Sequence, residues 1–204
     1  MFGRKTRFWD WFSQVASRLA ERLDDPAIVS ELDEALYRES GGDLSWELGP
    51  GEGGECYLAI SPEGDRSMVG KAEAFAAKAP AIPGWRFLVG RQKKEFAAGR
   101  LILELPGLGT TDIVAWRFWL EGSGIPGRAL VVVFPSGVER MPADDLVAGA
   151  EIVLDSLLSE MVRIRCVEEI EVTRSVTDQT SGIKPLELAG RLEAFLQGGS
   201  SGGV

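Results

Sequence analysis

Histidine is absent from the 204 residues, which decides much of what the chain can do. Without imidazole there is no Ser-His-Asp or Cys-His nucleophile pair, no HExxH metal site and no side chain matched to proton transfer at neutral pH. The two cysteines, Cys56 and Cys166, stand far from any CxxC or Cys/His spacing, too few for a disulfide framework and wrongly placed for zinc. Each falls on the apolar parity of a strand-like stretch, where a small buried core thiol is the expected role. Carboxylates adjoin at Asp24/Asp25, Asp144/Asp145 and Glu168/Glu169. The first two pairs lie where helix amino termini attract negative charge, which accounts for them without Mg²⁺ or Ca²⁺. No catalytic, cofactor-binding or metal-ligating residue is assigned, and no cofactor is implied.

Glu168 is different. In a regular strand from Val162 to Val172, the side chains of Val162, Ile164, Cys166, Ile170 and Val172 share one face, and Glu168 is driven into the core with them. Two explanations compete. A β-bulge near Val167-Glu168, or an opening of the core to solvent, relieves the conflict; otherwise a buried carboxylate with a raised pKa marks a pocket. In that second case Arg163 and Arg165 shape an anionic ligand, so Glu168, Arg163 and Arg165 are the candidate pocket residues. The small basic cluster Arg86, Arg91, Lys93 and Lys94 reads as a solvated loop or an anion-contact patch. Gly49-Pro-Gly-Glu-Gly-Gly54 is no phosphate loop, because no Lys-Ser or Lys-Thr follows and the next stretch alternates as a strand. Gly107-Leu-Gly-Thr-Thr-Asp112 fails the dinucleotide pattern for the same reason.

The elements that position these residues begin with an amphipathic helix. Phe8, Trp11, Phe12, Val15 and Leu19 recur at helical spacing, with Asp10, Gln14, Ser17, Arg18 and Glu21 opposite. Its aromatic face, with Arg4, Lys5 and Arg7 nearby, either packs on the body or a partner or embeds in an anionic lipid surface. Asp25-Pro26 caps a second helix that stops at Gly41-Gly42. Leu44, Trp46 and Leu48 then alternate, and so do Cys56, Leu58 and Ile60, giving a hairpin around the glycine-rich loop. A short helix through Ala72 and Phe75 ends before Pro80, and strands resume at Trp85 to Val89 and at Leu101 to Leu105. Val114, Trp116, Phe118 and Leu120 alternate on one face; Trp119 falls on the other with Ile113, Ala115 and Arg117, a face either covered by a helix or left open as a binding surface.

Arg128-Ala-Leu-Val-Val-Val-Phe134 is apolar at both parities, as in a strand covered on both faces or central in a sheet. A long helix opens at Met141-Pro142, with a stripe at Leu146, Ala150, Val153, Leu154, Leu157 and Met161. Leu186 to Leu196 suggest a final helix, and residues 198–204 read as a flexible Gly/Ser tail. No repeat of 20 to 50 residues is visible. The order predicts an α+β single domain over 1–197: a largely antiparallel sheet of about seven strands, helices mainly on one face, and two helices before the first strand.

Phe8-Trp9-x-Trp11-Phe12, Ile60-Ser61-x-x-Gly64, Ala79-Pro80 with Trp85 after it, and Leu154-Asp-Ser-Leu-Leu-Ser-Glu160 together resemble a group of bacterial proteins of unknown function. Their layout is similar to some immunity-type proteins of toxin systems. A glycine often stands in that group where Ser159 stands here. The resemblance implies a cytosolic, non-enzymatic interaction domain and no catalytic residues.

The net charge of −9 repels a phosphate backbone, so nucleic acid is not an expected partner, whereas a basic protein is. Glu31, Asp33 and Glu34 on the second helix and Glu151, Asp155 and Glu160 on the long one are the candidate partner-facing residues. No membrane span is expected, since the longest apolar run, Ala129 to Phe134, is far below the roughly 18 to 20 residues a crossing helix needs. Scarce cysteine makes the cytoplasm the expected compartment.

Overall fold

The computed structural model describes residues 7–23, 25–96, 100–105, 107, 109–178 and 180–199. It is mixed α and β, with contacts gathered in two compact units, Met1–Arg91 and Gln92–Val204, each with its own hydrophobic cluster. A single domain over 1–197 is what the sequence suggests. Arg4, Lys5 and Asp24 lie outside the described residues. Of the tail, Gly198 and Gly199 close the last helix and residues 200–204 lie outside them.

In the first unit, α1 (Phe8–Glu21) and α2 (Pro26–Ser40) precede the strands, as expected. Asp25 caps α2 by accepting from the Ala27 N–H at 2.9 Å, Pro26 supplies the first helical residue, and Gly41 ends it at φ 77°. Strands β1 (Ser45–Pro50) and β2 (Cys56–Ser61) form the expected antiparallel hairpin; α3 (Val69–Ala76) then crosses over to β3 (Trp85–Val89), which lies parallel to β2. The aromatic face of α1 is consumed by this core. Phe8 and Phe12 are buried against Phe75 and Phe87, the Trp9 indole N–H donates to the Phe75 carbonyl, and Trp85 donates to Ala16. A face used this way is not available to lipid.

The second unit opens with a hairpin of β4 (Ile102–Leu105) and β5 (Gly109–Asp112). A second hairpin follows, β6 (Arg117–Gly122) with β7 (Ala129–Phe134). Then come α4 (Ala143–Leu158), α5 (Glu160–Cys166), β8 (Val167–Val172) and α6 (Leu188–Gly199). Strand β8 returns parallel to β7, so β7 is central in the order β6-β7-β8, which explains why both of its parities are apolar. Each unit therefore uses one plan: an antiparallel hairpin, then a helical crossover to a parallel third strand.

The expected seven-strand sheet is corrected to three small sheets. Helical crossovers replace two of the turns that a meander would need, and among the described residues the β4-β5 ladder stands as a separate two-stranded sheet. The expected strand from Val162 is also corrected. Residues 160–166 are helical, because Ser159 stops α4 at φ 81°, ψ 150° and its hydroxyl then accepts from the Val162 N–H to start α5. Val114 lies outside β6 and is exposed, whereas Trp116, just before the strand, is fully buried.

Candidate functional site

Alternation divides the β6-β7-β8 sheet into two faces. Phe118, Val131, Val133, Ile170 and Val172 point to the core under α4. The opposite face is built from two cross-strand rows, Glu121–Leu130–Glu169 and Trp119–Val132–Glu171, with the glutamates exposed. It is a carboxylate-rich surface around one half-buried tryptophan.

The loop after β8 walls this surface into a cleft. Thr173, Ser175, Asp178 and Ser181 join Trp119, Val132, Glu121 and Glu171 around a cavity of about 330 Å³. Two contacts fix the loop to the ring: the Trp119 indole N–H reaches the Ser181 hydroxyl at 3.4 Å, and Gly182 passes so close that a Cβ there would meet Trp119 Cζ2 at 2.9 Å. Only glycine permits that approach. Asp178 accepts from the Thr180 hydroxyl at 2.6 Å and its N–H at 2.8 Å, and these bonds hold its carboxyl below the ordinary Asp range, charged at neutral pH. Among the described residues lining the cleft none is cationic. Arg117 stands on the same sheet face, but its guanidinium donates to the carbonyls of Val114 and Trp116.

The expected site residues are distributed differently. Glu168 sits on a bulge: Ala129 pairs with Val167 and Leu130 with Glu169, so Glu168 is the extra residue, as one of the two sequence explanations requires. Its carboxylate meets Arg128 Nη1 at 2.5 Å, partly exposed. Arg163 is buried and clasps Asp155, Nε to Oδ1 and Nη2 to Oδ2, and Arg165 lies on the exposed side of α5. Arg163 is thus paired with Asp155 and Glu168 with Arg128.

Burial alone would lower the Arg163 pKa, but its hydrogen bond to Asp155 and the charges of Asp155, Glu151 and Glu160 outweigh this and raise it. Asp155 is only 3% exposed and Glu160 0%, which corrects their place among the partner-facing residues: the turn between α4 and α5 folds both inward. Glu151, Glu31, Asp33 and Glu34 are on the surface. Glu31 pairs with Arg18, Glu34 with Arg38, and Asp33 accepts from the Trp46 indole.

The Trp119 cleft was half legible in the sequence. The parity of Trp119 is there, and Glu121 shares it two residues along the same strand, but nothing local says that Glu171 and Asp178 gather around it, because that depends on β8 returning parallel. Compared with known protein families, curated proteins and solved structures, the chain matches none.

Proposed function

We propose that the chain is a non-enzymatic interaction domain of the bacterial cytoplasm, and that it holds a basic partner protein on the open face of β6-β7-β8, in the manner of immunity-type inhibitors of toxin systems. The observation carrying this reading is the cleft in which Glu121, Glu171 and Asp178 surround Trp119 without a lining cation. A Lys or Arg side chain entering it meets an aromatic ring and three carboxylates. Over an exposed ring a cation gains about 0.5–1 kcal/mol, and the exposed carboxylates add salt-screened attraction to it. The −9 net charge, with Glu31, Asp33, Glu34 and Glu151 on the surface, supports steering of a cationic protein toward the domain.

The test is affinity capture from a lysate of the source organism at low salt, with wild type beside a Glu121→Lys/Glu171→Lys variant. The reading expects a basic protein held by the first and released by the second. Retention of the same protein by both, or capture of acidic proteins alone, would remove it.

A further inference from the structure

The β6-β7-β8 sheet has two outer edges, and the chain closes one of them itself. Phe118 in β6 exchanges backbone hydrogen bonds with Ile183, at 3.1 and 2.8 Å. On the other side β8 is the last strand, and no further strand pairs with it among the described residues. The Thr173 N–H donates to the Val133 carbonyl at 2.9 Å, so by alternation the N–H and C=O groups of Ile170 and Val172 point away from β7. Those outward groups meet no hydrogen-bond partner among the described residues.

Side chains along this edge are acidic on one face and apolar on the other. Glu169 and Glu171 are exposed, with no ion-pair partner among the described residues, whereas Ile170 and Val172 are half-buried against the core. The neighbouring cations are engaged: Arg128 holds Glu168, and Arg174 donates to the carbonyls of Glu139 and Met141. A second copy of β8 laid along the edge would set glutamate against glutamate, which disfavours self-pairing. A strand with Lys or Arg at every second residue meets the opposite situation. Its cations fall beside Glu169 and Glu171, and the apolar residues between them extend the row of Ile170 and Val172. We infer that the outer edge of β8 takes an extended segment of the basic partner, with alternating cationic and apolar residues, as a fourth strand. The partner's charge rests on the acidic-face reading; the edge adds the conformation in which it is held. Main-chain bonds to Ile170 and Val172 supply affinity, and the alternate side chains supply specificity.

The probe is the acetylated, amidated peptide Lys-Val-Lys-Val-Lys, added to the isotope-labelled full chain while hydrogen exchange of single amides is followed by NMR. At about nine-tenths saturation the Ile170 and Val172 amides should exchange about tenfold more slowly, because only the free fraction leaves them open. Glu169→Lys/Glu171→Lys, both at exposed positions, should end that protection, and Glu-Val-Glu-Val-Glu should give none. A lysine peptide that shifts the Trp119 indole signal without protecting Ile170 and Val172 overturns the edge and leaves the acidic face standing. Equal protection by the glutamate peptide, or no binding of the lysine peptide at all, overturns the edge as well. Failure to capture a basic protein from lysate strikes the underlying reading instead.

Discussion

Trp116 and Trp119 stand three residues apart in sequence and in opposite environments. Trp116 is 0% exposed, and its indole N–H is buried without a hydrogen-bond partner among the described residues. Trp116→Ala should therefore cost about 3–5 kcal/mol, and Trp116→Phe much less, because it also removes a desolvated donor. Trp119 is half-buried on the open face, so Trp119→Ala should cost about 1–2 kcal/mol; chemical denaturation of the three variants checks the order. Tyr57 offers a pH test. Burial, then the charge of Glu47 and a hydrogen bond to it, push its pKa from 10.0 up to about 12. The unfolded chain releases this proton first, so the stabilisation is complete below pH 10 and is lost as pH rises toward 12. In a Tyr37→Phe background, absorbance titration should place Tyr57 near 12, and Glu47→Gln should lower it part of the way; an onset at 10 would refute this environment. At this scale the parity of Trp119 was legible from period-two alternation; the bulge at Glu168 was one of two open readings, and of the residues that suggested it Val162, Ile164 and Cys166 belong to a helix. The burial of Asp155 was not legible, because its cause is Arg163, on a segment whose apolar alternation imitates a strand.

The break between α4 and α5 shows how one residue sets an element. Ser159, at φ 81° and ψ 150°, occupies a region that is essentially reserved for glycine and costs other residues about 1–3 kcal/mol. Its hydroxyl returns part of that by capping α5. Ser159→Gly removes the strain and loses only a few tenths of a kcal/mol of capping, plus the entropy of a glycine, so it should stabilise by up to about 1 kcal/mol. Ser159→Ala keeps the strain and loses the cap, and should destabilise; thermal unfolding of the pair distinguishes them. The Asp155–Arg163 clasp bridges the same turn. Asp155→Ala should cost about 3 kcal/mol by removing the bidentate partner of a buried guanidinium, which Glu151 and Glu160 offset only in part, and Asp155→Leu/Arg163→Met should recover only part of that loss because buried Glu160 then loses a countercharge. Helix ends marked by Asp25-Pro26 and Gly41 were readable from local chemistry. The end at Ser159 was not, because serine is no usual left-handed terminator and Val162, Ile164 and Cys166 favour a strand locally.

On the scale of the molecule, two units repeat a hairpin followed by a crossover to a parallel strand, each around its own core. The α+β class and most strands were readable in the hydrophobic alternation. The partition into three sheets was not, because strand partners are chosen by non-local packing. Nor could alternation say that β8 would bring Glu169 and Glu171 beside Leu130 and Val132. That pairing makes the acidic face, and the proposed role stands on it. Its most direct test is isothermal titration with a lysine-rich peptide at two ionic strengths, comparing wild type with Glu121→Gln/Glu171→Gln. Binding at the Trp119 cleft predicts an affinity that falls with added salt and drops roughly tenfold in the double variant, the equivalent of two partly exposed ion pairs. Equal affinity in the two proteins would contradict it.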